Sequence, residues 1–140
     1  MIVIIRIAGM VKKRQESKET LSRLRLKRKY SCVLIDEKDP IRVGMLNKSK
    51  DFVAYGKIDE QMLTRLVEKR GKMIDKSKKI SVDEAIKGIK EGKKMEELNL
   101  KPYFRLHPPR GGLRSSKMRF PKGVLGNHKE KINLLIERML

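Results

Sequence analysis

Few side chains in this 140-residue chain could carry nucleophilic or metal chemistry. There are two histidines, His107 and His128, one cysteine, Cys32, and the adjacent Ser115 and Ser116 close to the first histidine. Zinc needs four converging ligands, and no two Cys or His residues stand at ligand spacing, so several carboxylates would have to complete such a site. Ordinary polar histidines in a basic region are the simpler reading, and no metal or cofactor is expected. A serine nucleophile needs a base and a third group to orient that base, and nothing here resembles a nucleophile elbow. The segment GGLRSSK also fails as a phosphate-binding loop, because no Gly precedes its lysine and the spacing from the glycines is wrong. No catalytic residue is expected.

The same stretch, RLHPPRGGLRSSKMR from Arg105 to Arg119, suits a polyanion better. Pro108 and Pro109 fix φ, extend the backbone and remove two amide donors. Gly111 and Gly112 permit turns and close approach. Around them stand Arg105, Arg110, Arg114, Lys117, Arg119 and Lys122; a guanidinium can grip phosphate bidentately or stack on a base, whereas lysine is a point charge. Self-repulsion among these cations predicts that the loop orders on binding.

Charge extends this argument to the whole chain. The 36 Lys and Arg against 17 Asp and Glu leave a net charge of +19. Such an excess repels itself unless a polyanion neutralises it. Nucleic acid is the usual partner and anionic membrane the rival. Membrane is the weaker reading, since no apolar run approaches the ~20 residues of a spanning helix. The opening MIVIIRIAGM begins its apolar run at Met1 and is interrupted by Arg6, so it reads as a strand and not a signal peptide. A single cysteine excludes an internal disulfide and fits a reducing cytoplasm.

These side chains need positioning elements. The β-branched run Ile2–Ile7 predicts a buried strand, followed by a basic loop from Gly9 to Lys13. Leu21 and Leu24 predict a helix over 17–29, crowded with Lys18, Arg23, Arg25, Lys27 and Arg28. Cys32–Ile35 is a second strand, Asp39-Pro40 opens a short helix through about Leu46, and Phe52–Tyr55 is a third strand ended by Gly56. Met62, Leu63, Leu66 and Val67 then form the stripe of a helix capped by Asp59 and stopped by Gly71. A cationic connector spans 72–79. Ser81 and Glu84 form a capping box for a helix closed by Gly92. Tyr103–Leu106 is strand-like, and a last helix begins near Lys129. Alternation of this kind ordinarily suggests parallel βαβ units. The few aromatics fall mostly at strand positions, with no paired motif of a base-stacking sheet, zinc finger or recognition helix. Shape and phosphate recognition over a wide surface is the expected mode.

The segment TLSRLRLKRKYSCVLIDEKDPIRVGMLNKSKDFVAYG resembles the large-subunit ribosomal protein family numbered thirty in bacteria and archaea and seven in eukaryotes. The marks are Leu24-Arg25-Leu26, Asp39-Pro40, Gly44-Met45-Leu46 and the strand from Phe52 to Gly56. Beyond it, Glu68-Lys69-Arg70-Gly71, the motif Pro109 to Gly112, and Gly126-Asn127 are similar to the longer archaeal and eukaryotic branch. The archaeal form fits best, because the eukaryotic proteins begin with a long basic extension that is not present before the first strand. The resemblance implies an α+β fold. Its core is ferredoxin-like, βαβαβ, over 1–57, with a three-stranded antiparallel sheet and helices on one face. A helical and strand extension over 58–140 packs on that core as a single compact unit. It also implies a non-catalytic cytoplasmic constituent of the large ribosomal subunit, contacting large-subunit rRNA and neighbouring ribosomal proteins and helping to attach 5S rRNA at the central protuberance. Neither a small-molecule substrate nor a homo-oligomer is expected.

The regions carried over as RNA contacts are Lys12, Lys13, Arg14, Arg23, Arg25, Lys27 and Arg28, then Lys69 and Arg70, then Arg105 to Lys122 with Arg110, Gly111, Gly112, Arg114, Lys117 and Arg119. Lys18, Lys48, His107 and His128 complete the candidate set. Two rivals remain compatible with the charge: a DNA-compacting chromatin protein, and an RNA-processing enzyme using His107 or His128.

Overall fold

A computed structural model of the chain describes residues 1–78 and 80–140; Lys79, the last residue of the predicted connector, lies outside the described residues. The first section runs β1 (Ile2–Arg6), α1 (Gln15–Arg23), β2 (Ser31–Ile35), α2 (Pro40–Ser49) and β3 (Val53–Lys57). The second runs α3 (Glu60–Arg70), α4 (Val82–Lys90), β4 (Phe104–Arg105), β5 (Gly126–Asn127), a 3-10 turn (Lys129–Lys131) and α5 (Ile132–Met139).

Strand β1 lies at the centre and pairs antiparallel with β2 on one side and β3 on the other, with Ile4 opposite both Val33 and Tyr55. This is the ferredoxin-like antiparallel core, not the parallel arrangement that alternation alone suggests. Residues from the second section widen it to five strands in the order β4-β2-β1-β3-β5, β4 antiparallel and β5 parallel to its neighbour. Strand β5 is not foreshadowed in the sequence, because two residues carry no alternation to read.

Both faces of this sheet are covered, which explains why β1 reads as an unbroken apolar run. Ile4, Val33, Ile35 and Val53 pack against Leu21, Leu24, Leu26 and Leu46 beneath α1 and α2. Val3, Ile5, Cys32, Leu34 and Ala54 face the apolar stripes of α3, α4 and α5. The core's own helices thus share one face, as expected, and the second section covers the other.

Three local expectations are corrected. Helix α1 ends at Arg23, six residues early, because Leu26 N donates to Leu21 O (2.8 Å) and Arg25 N to Ser22 O (2.9 Å). These are the two bonds of a Schellman closure, with Leu21 and Leu26 buried in the same apolar cluster and Arg25 in the left-handed position at φ 60°. Gly56 does not end β3 but lies inside it: a Cβ there would stand 2.1 Å from the Lys129 carbonyl O and 3.0 Å from the Ile132 side chain. Helix α2 runs on to Ser49, whose hydroxyl turns back to the Met45 and Leu46 carbonyls. The caps at Asp39, which accepts from Ile41 N and Arg42 N, and at Ser81 with Glu84 form as read.

Candidate nucleic-acid interface

The early end of α1 shapes a strongly cationic region of the surface. After Arg25 the chain turns through residues 26–30 and reaches Tyr30, also left-handed at φ 61°. Arg6 holds this turn from beneath. Its side chain is 2% exposed, and its guanidinium donates to Ala8 O (3.0 Å), Leu26 O (2.9 Å) and Lys27 O (2.5 Å). Carbonyls that a continued helix would have spent internally are thereby satisfied by a buried cation. Tyr30 N donates to Arg6 O and Leu106 N to Tyr30 O, which joins the turn to β4.

A concavity of about 560 Å³ opens beside this turn, lined by Ser22, Arg23, Arg25, Lys27, Arg28, Ser31, Tyr103 and Arg105. Two stretches far apart in sequence, residues 23–28 and Arg105 on β4, supply its five cations, and no carboxylate lines it among the described residues. Arg25 alone among them forms an ion pair, 2.5 Å from Glu96, among the described residues. Five predicted residues are brought together here; Arg6, Ser22, Ser31 and Tyr103 were not foreseen. Tyr103 was legible in principle, since it stands two residues from Arg105 in a strand-like stretch and so shares its face.

Other predicted residues surround or leave this centre. Lys12, Lys13 and Arg14 precede α1, and Lys13 Nζ lies 4.2 Å from the centre of the Phe52 ring. Lys48 joins Arg23 in a second groove between α1 and α2 that also holds Glu16 and Glu19, so its field is mixed. Lys18 is half-buried on α1. Lys69 is exposed at the end of α3, but Arg70 turns inward and donates through Nη2 to Leu140 O (2.7 Å).

The Arg105–Lys122 stretch is not one cluster. Arg105 sits on β4 at one edge of the sheet, while Arg119 bridges to Leu125 near β5 at the opposite edge. Between them the chain crosses the end of α5: His107 N donates to Met139 O (3.0 Å), and Arg110 N to Arg138 O (2.9 Å). Arg138 answers, its Nε donating to Arg110 O (2.8 Å) and its Nη2 to Gly112 O. The loop's first half therefore has anchors in the protein itself, which self-repulsion alone did not foretell. Gly111 and Gly112 hold φ 77° and 74°, and Arg110, Arg114, Lys117 and Lys122 are exposed around them. Arg119 is engaged by Asp51.

The histidines part company. His107 is exposed, whereas His128 is 6% exposed, stacked 4.4 Å from Phe120, with Nε2 2.7 Å from Val124 O. Burial pushes the His128 imidazole below its ordinary range, the Val124 hydrogen bond partly opposing this. It is a core residue and leaves the set of surface contacts. Burial likewise pushes the Cys32 thiol up, making it unreactive. Among the described residues no group of His, Cys, Asp and Glu could hold a metal ion, and no helix is long and apolar enough to cross a membrane.

Fold and surface together define a cation-presenting α+β protein of ferredoxin-like topology. Residues 2–53 match the family described as ribosomal protein L30p/L7e. The chain is 39% identical to the large ribosomal subunit protein uL30 of Archaeoglobus fulgidus over 152 aligned positions covering 99% of each chain. It is 38% identical to the uL30 protein of Methanothrix thermoacetophila and 37% to that of Methanocella arvoryzae, again with 99% of each chain covered. The chain belongs to the uL30 family of large-subunit ribosomal proteins, in its archaeal type. It is a structural constituent of the cytoplasmic ribosome and not an enzyme.

Proposed function

We propose that this protein binds large-subunit rRNA by neutralising phosphates from two edges of one rigid sheet, and helps attach 5S rRNA at the central protuberance. The observation that carries the reading is the convergence of Arg23, Arg25, Lys27 and Arg28 with the sequence-distant Arg105 on one concavity that no carboxylate lines among the described residues. A protein gains nothing from this repulsion when free and is relieved of it when docked on phosphate. Arg110, Arg114, Lys117 and Lys122 offer a second strand its own contact along the path from the end of α5 toward the far edge, and 5S rRNA is assigned to that contact.

Titration of large-subunit rRNA fragments with the protein across a salt series tests the mechanism. Affinity is expected to fall with log[salt] at a slope of about −3 to −5, as five bound cations release counterions. A flat salt response would reject charge neutralisation. Duplex DNA competing equally with folded rRNA would favour a DNA-compacting role instead. For 5S rRNA, Arg110→Gln with Arg114→Gln is expected to lower 5S affinity while leaving binding to a large-subunit fragment within about twofold, because each phosphate contact removed weakens only the RNA that it touches.

A further inference from the structure

The concavity beside the α1 turn differs in kind from a basic surface. A cationic face for duplex RNA is shallow and tracks the backbone, but here the cations surround a hollow whose size falls in the roughly 300–1,000 Å³ range of small-ligand sites. An aromatic residue lines that hollow: Tyr103 is half-buried, packing against the α1–α2 core and bordering the pocket. Arg105 and Ser31 are direct partners across the β2–β4 ladder, so both belong to the same wall as Tyr103. The turn that forms the other wall is held in an unfavourable backbone. Arg25 takes the helix-closing position where glycine costs least, and Gly92 takes the equivalent place after α4 at φ 82°. Keeping an arginine there places a guanidinium at the pocket rim at a conformational cost.

Resting on the rRNA reading above, we infer that this pocket accepts one unstacked RNA nucleotide, its phosphate among Arg23, Lys27, Arg28 and Arg105 and its base against Tyr103. Unstacked bases on aromatic rings, with cations on the adjacent phosphate, are the general means by which proteins read single-stranded or bulged RNA. The α1 surface then recognises an irregularity in an RNA helix, and the other cations hold its flanks.

The test uses the full chain and two RNA duplexes, identical except that one carries a single unpaired 5-iodouridine. The bulged duplex is expected to bind about tenfold more tightly, and ultraviolet cross-linking to join the iodouridine to Tyr103. Tyr103→Leu is expected to abolish the preference while still binding the paired duplex, and Tyr103→Phe to retain it, each checked for folding by its thermal midpoint. Equal affinity for the two duplexes, a cross-link mapped elsewhere, or a preference intact in Tyr103→Leu would overturn the pocket assignment. Failure of both duplexes to bind at low salt would instead overturn the rRNA reading on which it rests.

Discussion

Arg6 interrupts the most apolar stretch of the chain, and it does so to hold the interface in shape. Three backbone carbonyls depend on its guanidinium. Arg6→Leu keeps the bulk but orphans them inside the protein, and is expected to cost about 3 kcal/mol in urea unfolding while weakening RNA binding. Arg6→Lys restores one charge without the planar fork and should recover only part of the loss. His128 makes a different prediction, one of pH. Its pKa is lowered in the folded state, so folding favours the neutral ring. The contribution is complete above the ordinary value of 6.5 and is lost as pH falls through the lowered folded value, because the unfolded chain binds the proton first. Stability followed from pH 8 to 4 should therefore decline below about 6.5, and His128→Phe should remove that part of the slope.

Helix ends and close crossings decide what the elements can present. The hydrogen bond from Leu26 N to Leu21 O closes α1 where a continuing helix would have placed Arg25, Lys27 and Arg28 around its circumference. Closure instead gathers them at one pocket. Arg25→Gly relieves the left-handed backbone and breaks only an exposed ion pair, so stability should hold or rise by up to about 1 kcal/mol. RNA affinity should fall in the same variant; a destabilised protein in thermal melts would count against the strain argument. At the other edge, Gly56→Ala drives a methyl onto the Lys129 carbonyl and should cost about 1–3 kcal/mol by pushing the 3-10 turn and α5 off β3. The stability effects belong to elements; in the proposed arrangement Gly56 touches no RNA, whereas Arg25 is one of the five cations that do.

At the scale of the molecule, a charge of +19 must be carried by a sheet packed on both faces. Covering both faces leaves the sheet edges and helix ends for cations, so two basic regions form at opposite ends of the strand order. Self-repulsion in the free protein should make its thermal midpoint rise with added salt at neutral pH, through screening. A midpoint falling between 50 and 300 mM salt would mean that exposed pairs such as Arg65–Glu137 outweigh the repulsion.

The amino-acid order alone determined the strands of the core, the capped starts of α2 and α4, the apolar stripes of α3 and α5, and the polycationic character of the surface. Those features depend on local periodicity, on capping chemistry and on net charge, all of which are properties of neighbours in the chain. Only the tertiary structure decided that His128 is buried, that Arg70 turns inward, that Arg105 joins the α1 turn and leaves the Arg110 loop, and that Tyr103 meets five cations. The strand pairing of β4 with β2, and the buried reach of Arg6 into residues 26–27, bring together positions far apart in sequence. No periodicity encodes such contacts, because they follow from which edges of the sheet remain open once its two faces are filled.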